Sequence, residues 1–170
     1  MRITILTAGT RGDTQPYVAL ALGLQRAGHQ ARLVGGQNFA AFVQGYGLEF
    51  FPIRADMAEM MNSDAAQAVL EANNPLQALL TQASAMRDTT MFDQIQDDVW
   101  EACQGADAII YHPGMVSGYF IARHLGIPCF MASAIPMSPT REWPSLLFYN
   151  GPRLGSAYNR LTHALFDQIF

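Results

Sequence analysis

Lysine is absent from this chain, and charge of either sign is sparse. Charged residues make up 14% of the 170 positions, the ten basic residues are all arginine, and the formal net charge is −4. The arginines are scattered, so no basic stripe is offered to nucleic acid. There are two cysteines, Cys103 and Cys129. Two do not make a disulfide framework, and both read as small buried apolar residues. That usage favours a reducing compartment. No apolar run reaches the roughly 20 residues a membrane-spanning helix needs. The N-terminal run Ile3 to Ala8 is too short for a secretion signal and flows straight into a turn. No His, Cys, Asp or Glu grouping has the spacing of metal ligands. A cytoplasmic protein with neither metal nor cofactor is expected.

Hydrophobic residues, by contrast, are half of the composition, enough for a sizeable core in one domain. Arg2 to Ala8 reads as a short buried strand, and Gln30 to Val34, Leu48 to Ile53, Ala106 to Tyr111 and Pro128 to Ala132 as four more strands. Helices are predicted between them. One has Pro16 in its first turn and Gly28 at its C-terminal cap, and Tyr17, Leu20, Ala21 and Leu24 on its apolar face. Another is short and capped by Asn38, and a long pattern runs from Pro75 to Cys103. A helix from Val116 to Leu125 and a last one from Gly155 to Phe170 complete the set. Alternation with short links predicts an α/β fold, a doubly wound parallel sheet of Rossmann-like type. In such sheets ligands bind at the C-terminal ends of the strands. The final helix has no closing cap and no strand after it, so the chain reads as one cut short.

The first strand-end turn is GTRGDTQP, residues 9–16. A glycine turn opening a helix suits anions. Yet it lacks the spacing of the dinucleotide fingerprint and the Gly-Lys-Ser/Thr of a P-loop. An aspartate against a pyrophosphate would be poorly placed, so the turn is not expected to hold NAD. Asp13 can be read as a helix N-cap, Gly9 and Gly12 as turn glycines and Arg11 as a solvated side chain.

The stretch GTRGDTQPYVALALGLQRAGHQARLVG resembles the opening of glycosyltransferase family 28, which includes sterol and lipid glucosyltransferases and glycopeptide-antibiotic glycosyltransferases. A second block, ADAIIYHPGMVSGYFIARHLGIPCFMASAIPMSPTREWPS, resembles that family's fourth and fifth strands. Its PMSPTREWPS loop is typical of the sterol-glucosyltransferase branch. Residues 9–35 and 106–145 together cover about two fifths of the chain. The resemblance implies a GT-B fold of two Rossmann-like halves. Residues 1–170 would be the N-terminal, acceptor-binding domain, without the C-terminal domain that binds most of the nucleotide sugar.

The implied activity is that of an inverting hexosyltransferase. It would move a hexose from a nucleotide-diphosphate sugar such as UDP-glucose to a hydroxyl of an apolar acceptor: a sterol, a lipid or a polyketide aglycone. The isolated domain would be inactive. The family assigns the general base to the aspartate of the opening turn, here Asp13. Many plant-type relatives use a histidine there, and this chain has none. His112, after the fourth strand, is a candidate to bind the acceptor or assist Asp13; it also reads as an ordinary loop histidine. Thr10, Arg11 and Gly12 are candidates for the donor phosphates. Met57, Met60, Met61, Met115, Met137, Trp143 and Phe148 are candidates for an apolar acceptor wall, against a plain core-packing reading of each. A lipid acceptor would bring peripheral membrane contact, and an exposed half-cleft would invite self-association. The alternative is a non-catalytic lipid-binding or interaction module. An oxidoreductase would need an acid after the second strand, where the chain reads Val34-Gly35-Gly36-Gln37.

Overall fold

A computed structural model describes residues 1–54, 90–135, 137–145, 148–149 and 151–169. These fall into two compact units, one of described residues up to 134 and one from 135 onwards. Met57, Met60 and Met61 lie outside the described residues.

The first unit is a parallel five-stranded sheet with helices between its strands. The order along the chain is β1 (Arg2–Leu6), α1 (Arg11–Arg26), β2 (Gln30–Gly36), a single 3₁₀ turn (Gln37–Phe39), α2 (Ala40–Gln44) and β3 (Glu49–Ile53). After them come α3 (Thr90–Cys103), β4 (Ala108–Tyr111), α4 (Ser117–Leu125) and β5 (Cys129–Met131). In space the strands run β3-β2-β1-β4-β5. Early strands are laid down on one side of β1 and later ones on the other. The sheet therefore reverses its winding between β1 and β4, the place where such sheets bind ligands. There Leu6 pairs with Val34 on one side and with Tyr111 on the other.

The alternation within the strands divides the core. Ile3 and Ile5 point to one face with Tyr17, Val18, Ala21, Leu33 and Val43. Leu6 points to the other with Val34, Ile109, Ile95, Val99, Cys103 and Ile121. Each fully buried aliphatic side chain contributes about 1.5–3 kcal/mol, and both faces of the sheet are used, as a parallel sheet requires. On α3, Ile95, Val99, Ala102 and Cys103 are all buried, which is the spacing of one helical face. Between that face and β3, Asp98 is 1% exposed. It accepts hydrogen bonds from the Arg54 amide and Nε, each at 2.7 Å. Helix α4 sits tight against the sheet: a Cβ on Gly118 would lie 2.7 Å from Leu6 Cδ1.

Three local expectations are corrected. Helix α1 starts at Arg11, so Pro16 lies in its second turn and not its first. Its N-cap is Thr10, with Asp13 as the third helical residue. Asn38 caps nothing: it sits inside the 3₁₀ turn, where no side-chain cap bond forms. The backbone there winds tighter than an α-helix and carries directly into α2.

In the second unit, α5 (Ser156–Ile169) holds down the preceding proline-punctuated loop. The Ser145 amide donates to Thr162 Oγ1 at 2.8 Å, and Ser145 Oγ donates to the Thr162 carbonyl at 3.0 Å. Asn159 Nδ2 donates to the Arg141 carbonyl at 2.9 Å. His163, 4% exposed, has Nε2 at 3.1 Å from the Trp143 carbonyl. Among the described residues no helix is long and apolar enough to cross a membrane.

Candidate active site at the strand reversal

The turn after β1 is shaped around one carboxylate. Gly9 has φ of +105°, a region open to glycine and costly for other residues. A Cβ there would also fall 2.5 Å from Asp13 Oδ2. That oxygen is the hub of the cap. It accepts from the Thr10 amide at 2.7 Å and from the Thr10 hydroxyl at 2.9 Å. Thr10 Oγ1 in turn accepts from the Gly12 amide at 3.2 Å. This is a capping box with aspartate in the glutamate position. It satisfies donors that the helix start would otherwise leave open.

The other oxygen, Oδ1, faces His112. The separation from His112 Nε2 is 3.7 Å, with the two side chains 34% and 19% exposed respectively. This distance is beyond a hydrogen bond and within reach of a charge interaction. His112 comes here because its amide continues the β1–β4 ladder, donating to the Leu6 carbonyl at 2.9 Å. The ring is then fixed by its own turn: the Gly114 amide donates to Nδ1 at 2.9 Å. Burial pushes the His112 pKa down against the opposing pull of Asp13.

Tyr17 forms one wall. It is 2% exposed, and its ring meets the His112 ring edge-on, at 6.0 Å between centroids. Its hydroxyl donates to the Ala132 carbonyl just past β5. Burial, and after it the Asp13 charge, raise the Tyr17 pKa.

The structure thus brings Thr10, Gly12, Asp13 and His112 together at one corner. The donors expected to meet phosphates are, however, engaged in the cap. The Gly12 amide and both Thr10 donors are spent there. Arg11 turns its guanidinium over the Phe42 ring, 4.7 Å from the centroid. Of the expected acceptor wall, Met115 is 4% exposed and packed in the core with Leu6 and Val34. Its surface is already used by the fold. Met137 and Phe148 are half-buried and Trp143 is 47% exposed, all in the second unit. An open groove of about 500 Å³ in that unit is lined by Arg141, Ser156, Ala157, Arg160, Leu161 and Ala164. Tyr17 is the functional neighbour the sequence did not reveal. At helical spacing it counts as one more apolar residue, and only the end of β5 shows what its hydroxyl reaches.

Comparison with known proteins identifies the family and the fold. The model of the glycosyltransferase family 28 N-terminal domain matches residues 3–144. The sterol 3-beta-glucosyltransferase of Neurospora crassa is 37% identical over 170 residues, and that of Candida albicans 36% over 168. The match takes in 100% and 99% of this chain and 11% of each relative. The chain thus spans about a ninth of the length of these curated relatives. Among solved structures, the Streptomyces sp. SF2575 glycosyltransferase SsfS6 superposes with a TM-score of 0.61 at 20% identity. It covers 89% of this chain and 43% of that one. The calicheamicin glycosyltransferase CalG4 gives 0.60 at 17%, covering 98% and 42%. These structural likenesses speak to the fold.

Proposed function

This chain belongs to glycosyltransferase family 28 through its N-terminal domain, and on that premise we propose that it is the acceptor side of an inverting sterol glucosyltransferase. The donor in this reading is a nucleotide-diphosphate glucose, held mainly by a C-terminal domain. The acceptor is a sterol hydroxyl, the substrate class in the names of its fungal relatives.

One observation carries the reading: at the sheet's winding reversal Asp13 Oδ2 is fixed by Thr10, while Oδ1 faces His112 with no hydrogen bond among the described residues. A hydroxyl is a weak nucleophile at neutral pH and needs a base within hydrogen-bond reach. Oδ1 takes the hydroxyl proton. The oxygen bonds to the anomeric carbon, and the bond from that carbon to the phosphate oxygen breaks. The nucleoside diphosphate leaves with the electron pair, and the configuration at the anomeric carbon inverts. Holding Oδ2 in the cap keeps the base from rotating away. That positioning is the contribution a fixed carboxylate makes to rate.

The test is a chimera in which this chain replaces the matched stretch of the Neurospora crassa enzyme. Glucose transfer from UDP-glucose to sterol is measured beside the melting transition. Equilibrium sterol binding is measured on this chain alone. The expected result is transfer by the chimera and its loss in Asp13→Asn. A chimera that melts cooperatively yet transfers nothing, from a chain that still binds sterol, overturns the catalytic reading. It would support a lipid-binding module, in which Asp13 serves the cap alone.

A further inference from the structure

We infer that His112 is a fixed neutral hydrogen-bond donor, whose Nε2–H donates to the reacting hydroxyl oxygen while Asp13 Oδ1 takes its proton. This inference rests on the proposed function for its substrate, but the state of the ring is decided by the chain's own geometry.

A neutral imidazole has one nitrogen that donates and one that accepts. The Gly114 amide can only donate, and it lies 2.9 Å from Nδ1. Nδ1 is therefore the acceptor, and the proton sits on Nε2, the nitrogen that faces Asp13. Protonating Nδ1 would set N–H against N–H and break that bond. Burial opposes the cation as well. So the only basic nitrogen of His112 is occupied by the backbone, which leaves the base role to the carboxylate.

The 3.7 Å gap between Nε2 and Asp13 Oδ1 is too wide for a direct bond. An oxygen set to one side of that line, about 2.8 Å from each atom, can bond to both. An oxygen placed there accepts from His112 and donates to Asp13. As its proton moves to Oδ1, negative charge grows on the oxygen and the Nε2–H bond to it strengthens. That is the kind of donor that lowers a barrier, since it gains most in the transition state.

Two positioning residues hold the ring. At Gly114 a Cβ would lie 3.1 Å from His112 Nδ1 and 3.7 Å from Ala8 Cβ, so a side chain there would press on the imidazole. Tyr17 closes the other approach, its ring edge-on to His112 and its hydroxyl tied to Ala132.

The first measurement is ¹⁵N NMR of the histidine side chains in this chain at neutral pH, with His112 assigned by its loss in His112→Gln. The expected result is an unprotonated Nδ1 and a protonated Nε2. An Nδ1–H tautomer or a cation overturns the inference. The second measurement is transfer by the chimera. The Gln side-chain amide nitrogen can take the place of Nε2, whereas that of Asn reaches only the Nδ1 position. His112→Gln should therefore keep about a tenth of the activity or more, while His112→Asn and His112→Ala lose about 100-fold. Gln as poor as Ala, or Asn better than Gln, overturns the donor role. Absence of transfer in an unsubstituted chimera that melts cooperatively overturns the proposed function instead, and the Nδ1 resonance still decides the tautomer.

Discussion

Asp13 is divided between two neighbours: Oδ2 is bound by the Thr10 amide and hydroxyl, while Oδ1 looks across 3.7 Å to His112 Nε2. One oxygen belongs to the fold and the other to the site. Asparagine separates the two roles, because its carbonyl can still accept from Thr10 while its amide cannot take a proton. In the chimera, Asp13→Asn should lower transfer at least 100-fold. Its stability loss should stay within about 1 kcal/mol, the worth of a first-turn negative charge at a helix start, since the asparagine carbonyl still accepts from Thr10. Transfer assays beside thermal melts check both numbers. Retained transfer would leave Asp13 as a capping residue only.

The two glycines of the turn are predicted to respond in opposite ways. Gly9→Ala places a methyl on a residue with φ of +105° and drives it to within 2.5 Å of Asp13 Oδ2. Left-handed strain costs about 1–2 kcal/mol, and displacing the capping carboxylate costs about 1 kcal/mol more. Gly12 is different: it is helical, and the nearest atom to its added Cβ would be Thr10 Oγ1 at 3.5 Å. Gly12→Ala should be neutral or stabilising by up to about 1 kcal/mol. Urea midpoints of the two variants decide this. A raised donor KM in Gly12→Ala at unchanged stability would place the donor phosphates against this turn.

The strand-helix alternation was enough to place all five strands; burial on both faces writes the continuous apolar run of β1, while β5 carries such a run with Phe130 and Met131 exposed. The meeting of residues 13 and 112 was only partly legible. Chain order gives two strand ends, but β1 and β4 are neighbours solely because the winding reverses between them. Thr10 as the cap was hidden by the stronger-looking Asp13, since both types favour helix starts. Met115 shows the opposite failure. A methionine on a strand-end loop looks available to a ligand, yet this one is packed into the core with Leu6 and Val34. The Arg54–Asp98 pair was invisible for a plainer reason: the two residues are 44 positions apart, and nothing local links them.

The cysteines give a check on the packing. Cys103 is buried, and burial pushes its thiol up to about 12 against the weaker pull of nearby Arg32. Thiolate is the reactive form, so Cys103 should be silent at pH 8 in the folded chain. Cys129 is half-buried on β5 and should be alkylated first. Iodoacetamide labelling read by peptide mass should give one modified site under native conditions and two in denaturant. Early labelling of Cys103 would mean that α3 does not pack on the sheet as described.

The last prediction concerns acid. His112 titrates below its usual value in the folded chain, because burial disfavours the cation more than Asp13 favours it. The unfolded chain, with a histidine near 6.5, therefore binds a proton first as pH falls. Stability drops wherever the unfolded state holds more protons. The contribution of His112 is thus fully present above about pH 7 and is lost as pH falls below about 6.5, down to its lower folded value. The difference between the unsubstituted chain and His112→Gln isolates the histidine from every other titrating group. Glutamine keeps a neutral donor and cannot titrate. Stability measured by urea melts from pH 8 to pH 5 should fall more steeply in the unsubstituted chain than in His112→Gln. Parallel curves would mean that the ring is as easily charged in the fold as in water.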